Sequence, residues 1–215
     1  MTNEILTRTL SSIVLLLLTF FCIFTGSYLF IILLVAVFII SSLEWHNMSK
    51  QKSYYFIGFI YLFFSLFCVY KLRFDLTNDA SIFLLITIIC ILTDIGGFIF
   101  GKVFKGPKLT KYSPNKTYSG LFGSFFLSLG IIPINFFFNF LNDINLTKLI
   151  IFTLIISSIS QLGDIFISYF KRSSNIKDTG KIIPGHGGLL DRIDGMIFAF
   201  PIAYLMILFN LFEIV

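Results

Sequence analysis

The chain has 215 residues, of which 57% are apolar and 13% charged, and its formal net charge is +5. A soluble globular domain is about 45–50% apolar, so a mean hydropathy of +0.94 excludes a water-soluble globule and points to helices built into a membrane. The three cysteines, Cys22, Cys68 and Cys90, lie in apolar runs without Cys-x-x-Cys or Cys/His spacing, which leaves disulfide and zinc chemistry unsupported.

A spanning helix needs roughly 20 apolar residues, and about 17 suffice. The first apolar block, 10–42, is too long for one span. Thr25-Gly26-Ser27 offers a turn that divides it in two. No small-residue cleavage site follows the first run, which therefore reads as a retained helix and not a signal peptide. Further spans are predicted at 54–70, 81–100, 120–141, 146–170 and 196–212. The result is an all-α, polytopic membrane protein with about seven spans. Residues 1–215 form one membrane domain, with no linker, internal repeat or low-complexity tail.

Loop charge sets the expected orientation. With the N-terminus in the cytoplasm, 13 of the 16 basic residues fall on the cytoplasmic side. Lys71, Arg73 and Lys148 fall on the other. The positive-inside rule thus predicts a cytoplasmic N-terminus and an exported C-terminus, with both polar loops, 101–119 and 171–194, facing the cytoplasm. Topology accounts for the sign of these loops but not for their aspartates and glycines.

Two carboxylates lie inside apolar helices, where charge is costly and usually functional. Asp94 shares a helical face with Thr87, Gly97 and Gly101, and the two glycines form a small-xxx-small pair that admits another helix closely. Asp164 lies on a stripe with Thr153, Ser157, Gln161, Ser168 and Lys171, which leads into the second polar loop. A hydrogen-bonded helix seam is the plainer reading of such a stripe. Asp191 and Asp194 are spaced to share a face at the start of the last helix, where the helix dipole favours carboxylates anyway. Just before them, Pro184-Gly185-His186-Gly187-Gly188 makes a loop whose amides can wrap an anion. His186 reads equally well as a phosphate ligand or a turn residue. Carboxylates beside phosphate-binding cations suit magnesium, which commonly joins one or two carboxylates to substrate phosphates.

The run Ser168, Lys171-Arg172, Lys177-Asp178, Pro184 to Gly188, Asp191-Arg192 and Asp194 resembles the signature of CDP-diacylglycerol synthases, the phosphatidate cytidylyltransferases, without a gap. Asp94-Ile95-Gly96-Gly97-Phe98, Gly101-Lys102 and Ser113 to Gly120 resemble a second motif of that family. The chain departs from it at Asn115, Tyr118 and Ser119, where the family usually has Lys, Trp and Glu. The resemblance spans roughly 90–205. Before that only Glu44-Trp45 at a helix end gives a weak echo. The chain is short for the family, which implies that one or two N-terminal helices are missing.

The resemblance implies transfer of cytidylate from CTP to phosphatidic acid, with release of pyrophosphate, at the cytoplasmic face of the cell membrane. It implies Asp164 and Asp191 as magnesium ligands, and Asp194 as a support of the site or a holder of a second cation. Lys171, Arg172, Lys177 and Arg192 would neutralise phosphates. Asp94, Lys116, Ser168, Asp178, His186, Gly187 and Gly188 would complete the substrate contacts. Expected partners are CTP, phosphatidic acid and membrane lipids. A homodimer is allowed, and no nucleic acid is expected. The rivals are a CTP-dependent polyprenol or phytol kinase, which needs a base to activate an alcohol, and a cation transporter using Asp94 and Asp164, which gives no reason for the Gly-rich basic loop.

Overall fold

The structure is a computed structural model and describes residues 19–23, 25–74, 80–138, 144–182 and 187–211. Among them the named elements are helical, and Lys108 and Thr117 form an isolated bridge. Besides helical residues 19–23, the helices named among the described residues are, in order, α1 (Ser27–Ser49), α2 (Tyr55–Phe74), α3 (Ser81–Phe104), α4 (Tyr118–Ser128), α5 (Ile131–Phe138), α6 (Leu146–Ser173) and α7 (Leu190–Leu208). Among the described residues, five helical stretches are long and apolar enough to cross a membrane, with α4 and α5 counted as one. This is an all-α, polytopic membrane protein.

The turn expected at 25–27 is present. Residues 19–23 are helical, and Gly26 separates them from α1 with a φ of 60°, a backbone state that glycine adopts without steric cost. The start of the first predicted span lies outside the described residues. The span expected as one helix over 120–141 is broken. Pro133 has no N–H to donate to Leu129, so the Leu129 carbonyl accepts from Ile132 instead, at 3.0 Å. Gly130 likewise turns back to Leu127 at 2.9 Å, and α4 gives way to α5. Helix α7 begins earlier than predicted, at Leu190, and so carries Asp191, Arg192 and Asp194 in its first turns.

The chain divides into two compact units. The first combines residues up to Leu66 with Phe170–Ile193. Trp45 is its anchor. The indole Nε1 donates to the Tyr55 carbonyl at 2.9 Å, and the ring packs edge-on against Phe170 with centroids 5.2 Å apart. Lys52 donates to the Ser173 carbonyl at 2.9 Å, and the hydroxyls of Tyr54 and Ser173 meet at 2.8 Å. A cation on the last carbonyls of a helix is favoured by the helix dipole.

The second unit combines Phe67–Tyr169 with Asp194–Val215. Here α3 and α4 touch through backbone. A Cβ on Gly120 would stand 2.7 Å from the Gly97 carbonyl, so neither helix tolerates a side chain at the crossing. The small-residue face predicted around Gly97 and Gly101 is thus an α3–α4 contact. Ser124 donates to the Thr93 carbonyl at 2.8 Å, and Thr93 donates to Ser157 on α6 at 2.9 Å. Phe83 stacks on Phe200, and Phe166 on Phe198.

Candidate active site

In the second unit, α3, α4, α6 and the 105–117 loop enclose a cavity of about 270 Å³ that Asp94, Lys116, Gln161 and Asp164 line together. The loop is a short hairpin. Leu109 donates to the Lys116 carbonyl at 2.8 Å, and Tyr118 donates to the Pro107 carbonyl at 3.2 Å. Thr117 closes it as the N-cap of α4, its hydroxyl accepting from the Gly120 amide at 3.1 Å. This local role explains the threonine of the S-P-N-K-T stretch. With the hairpin set, Lys116 reaches into the cavity, 2.5 Å from Asp164 Oδ2 and 3.3 Å from the Gln161 carbonyl. Ser168 donates to the other oxygen of Asp164 at 3.3 Å. The polar stripe on α6 is therefore both of the things expected of it. Ser157 takes part in a helix seam, whereas Gln161 and Asp164 face a cavity.

At the α6–α7 crossing, a Cβ on Gly163 would lie 2.9 Å from the Asp194 carbonyl. The glycine therefore brings the start of α7 against the turn of α6 that carries Asp164. The Asp194 side chain accepts from the Gly195 amide at 2.8 Å.

The first unit holds a second cluster. Helix α6 ends in a Schellman motif. Asn175 sits in the left-handed region with a φ of 55°, Ile176 donates to the Lys171 carbonyl at 3.0 Å, and Asn175 donates to that of Arg172 at 3.1 Å. Arg172 adds a bond to the Ile176 carbonyl at 3.2 Å. The chain reverses, and Thr179 arrives beside Asp191. Lys171 pairs with Asp191 Oδ1 at 2.7 Å. Oδ2 accepts from the Thr179 amide at 2.8 Å and the Gly188 amide at 3.2 Å, with the Thr179 hydroxyl oxygen 3.1 Å away. Burial by itself would push the Asp191 carboxyl up. The donors from Lys171, Thr179 and Gly188, together with the Lys171 charge, outweigh it and hold the group below its ordinary value. Asp191 is therefore a carboxylate at neutral pH.

Gly187, beside Asp178 and Asp191, has a φ of 88°, a backbone state in which any side chain would be strained. Lys177, Asp178 and Arg192 are exposed. His186 lies outside the described residues. Of the loop expected to wrap an anion, 184–186 lie outside the described residues; at its end and just beyond it, amides meet the chain's own carboxylates. Gly188 serves Asp191, while Leu189 and Leu190 serve Glu44, each at 2.8 Å.

Glu44, noted in the sequence only as a weak echo at a helix end, is a buried anchor of the loop. It is 1% exposed and accepts from the Thr179 hydroxyl at 2.8 Å as well as from those two amides. One buried carboxylate on α1 thus fastens both ends of the 179–190 loop. The signal was present, because Glu44 stands in an apolar helix just as Asp94 and Asp164 do.

Among the described residues no three His, Cys, Asp or Glu side chains are grouped as a metal cluster. Magnesium does not require one, since it keeps several waters and joins one or two carboxylates to phosphates. The oxygen donors fit such a hard ion. Asp164 has its charge balanced by a single lysine and lines an open cavity.

The sequence profile described as "Cytidylyltransferase family" matches residues 53–210. A phosphatidate cytidylyltransferase from Rickettsia typhi is 37% identical over 94% of this chain and 91% of its own length. One from Rickettsia conorii is 39% identical over 95% and 91% respectively. One from Staphylococcus haemolyticus is 42% identical over 118 residues, 54% of this chain and 45% of its own length. The similarity extends well beyond the 90–205 stretch that the motifs indicated. Apolar helices carry family likeness in many weakly specific positions that no motif captures.

Proposed function

The chain belongs to the cytidylyltransferase family, and from that premise we propose that it is a phosphatidate cytidylyltransferase. It makes CDP-diacylglycerol and pyrophosphate from CTP and phosphatidic acid in phospholipid synthesis. The observation that carries this reading is the cavity in which Lys116 and Asp164 pair beside Asp94. A cation and two carboxylates among membrane helices suit a lipid phosphate and a nucleotide phosphate brought together.

A phosphatidate oxygen attacks the α-phosphorus of CTP, and the bond from that phosphorus to the bridging oxygen breaks as pyrophosphate leaves. The attacking oxygen is already anionic at neutral pH, so no base is needed. The central problem is the repulsion of two anions. Lys116 and Lys171, each now held by a carboxylate, would neutralise phosphate charge, and Arg172, Lys177 and Arg192 would contribute to the same end. Arginine's planar fork suits two phosphate oxygens at once. Magnesium, for which Asp164 and Asp191 are the proposed ligands, would neutralise phosphate oxygens and polarise the α-phosphorus. Asp194 would support the site or hold a second cation.

Detergent-solubilised protein given phosphatidate, magnesium and CTP labelled in the cytosine ring is expected to place the label in lipid. Label entering lipid only from the γ-phosphate would replace this assignment with the polyprenol-kinase reading. The rival needs a base for an alcohol, and none stands out in the signature.

We further place the protein in the cell membrane with its N-terminus and both polar loops in the cytoplasm, where CTP is found. Single cysteines introduced near Lys108 or Ser174 in a cysteine-free background should be labelled only from the cytoplasmic side. Labelling of these positions from outside intact cells would reverse the orientation.

A further inference from the structure

We propose that the 105–117 hairpin is a docking surface for anionic lipid, on which Lys105, Lys108 and Lys111 gather phosphatidate from the bilayer beside the cavity. This deepens the cytidylyl-transfer reading, and the choice of phosphatidate rests on it. None of the three lysines belongs to either family motif quoted above.

The charge on this surface is one-sided. From residue 95 to residue 142 the chain has no Asp or Glu. Lys105, Lys108 and Lys111 are exposed, and among the described residues no carboxylate pairs with any of them. Lys116 of the same hairpin differs, because it is drawn inward to Asp164. Three cations within seven residues, with no acid to neutralise them, attract anions from outside the chain. The positive-inside rule accounts for the sign of this loop but not for its shape.

That shape holds the lysines at the bilayer surface. The span Ser81–Phe104 ends one residue before Lys105, and the span Tyr118–Phe138 begins one residue after Thr117. No linker lies between hairpin and span, so the folded hairpin stays at headgroup level. Lys105 and Gly106, with φ of 51° and 112°, end α3 abruptly. The tip is fastened, since Tyr112 meets Tyr169 of α6 edge-on with centroids 4.9 Å apart. Tyr118, 48% exposed, puts a ring at the end of its span, where tyrosine favours the headgroups. Phe104, 67% exposed, offers apolar surface to acyl chains. A lipid phosphate meets cations and apolar rings together at such a place, whereas a soluble anion would use the cations alone. Leu109, Ser113, Asn115 and Lys116 of the same hairpin line the cavity, so lipid held by the lysines lies next to it.

The test places the full chain in phosphatidylcholine nanodiscs. It compares how far the protein restricts the motion of spin-labelled phosphatidate and of spin-labelled phosphatidylcholine. The wild type is expected to prefer phosphatidate at low salt and to lose most of that preference in about 1 M KCl, where charge is screened beyond about 3 Å. One lysine near an anionic surface is worth about fivefold in binding. Lys105→Gln, Lys108→Gln and Lys111→Gln combined should therefore abolish the preference. The KM for phosphatidate, as its mole fraction in uncharged detergent micelles, should rise by about tenfold or more, with kcat and the KM for CTP unchanged. Arginine at the same three positions should restore both. If the triple variant folds poorly, the single variants carry the same comparison with shifts of about two- to fivefold.

A wild-type protein without the preference, or with one that salt leaves untouched, overturns the proposal. So do glutamine variants with an unchanged KM for phosphatidate, since the lysines would then serve topology alone. A rise in KM for CTP alone makes the hairpin a nucleotide collector and overturns the lipid assignment. Wild-type protein that shows the salt-sensitive preference but forms no CDP-diacylglycerol would refute the underlying reading and leave the docking surface standing, so the two failures are distinguishable.

Discussion

Asp164→Asn is expected to lower turnover by more than about a hundredfold, the scale on which one main electrostatic stabiliser acts. Asparagine has nearly the same shape and can still accept from Ser168. It cannot balance Lys116, now 2.5 Å from Oδ2, and it is a poor ligand for a hard cation. Asp191→Asn should cost as much, by a second route. The Asp191 oxygens are filled by Lys171, the Thr179 amide and the Gly188 amide. An asparagine must turn its own N–H₂ toward one of those donors, and the loop loosens with it. Thermal melting separates the routes. Asp164→Asn should melt near the wild type, while Asp191→Asn should melt lower. Near-normal, magnesium-dependent turnover in either folded variant would remove that residue from the proposed ligand set.

The second large effect is expected at a residue outside both signatures. Glu44→Gln replaces one carboxylate oxygen by a donor. That donor would face the Leu190 N–H, the Thr179 hydroxyl or the Leu189 N–H, all of which now donate to Glu44. At least one buried donor loses its acceptor, at about 1–3 kcal/mol for each group left unpaired. The start of α7 then loses the anion that caps it, and Asp191 sits in its first turn. Both stability and turnover should fall, and hydrogen exchange at Leu189 and Leu190 should accelerate. Glu44→Asp keeps the charge but is shorter, and should recover part of each. A Glu44→Gln protein with unchanged melting and unchanged exchange at those amides would show that the carboxylate does not hold the loop.

The membrane class, the approximate spans and the family were legible from the amino-acid sequence. Each rests on local information. Long apolar runs demand helices in a bilayer because every backbone group must be bonded internally. The turn at Gly26 follows from residue type in the same way. The signature around Asp191 is a contiguous string, which a linear reading captures well. The break between α4 and α5 was also written locally, in Pro133, but the apolar run around it masked the signal.

Pairings between distant segments could not be read this way. The Lys116–Asp164 ion pair joins residues 48 positions apart, and the bond from Leu190 to Glu44 spans 146. Which lysine a carboxylate meets depends on how closely helices pass. Here that is set by backbone contact at Gly97, Gly120 and Gly163. Spacing along one helix placed Gln161 and Asp164 on a common stripe. Only the packed structure decided that Ser157 faces another helix while Gln161 and Asp164 face a cavity. The same holds for the glycine-rich loop. Its composition announced amides able to bind an anion, and only the tertiary fold shows Gly188 donating to Asp191, and the Leu189 and Leu190 amides that follow donating to Glu44, both carboxylates of the same chain.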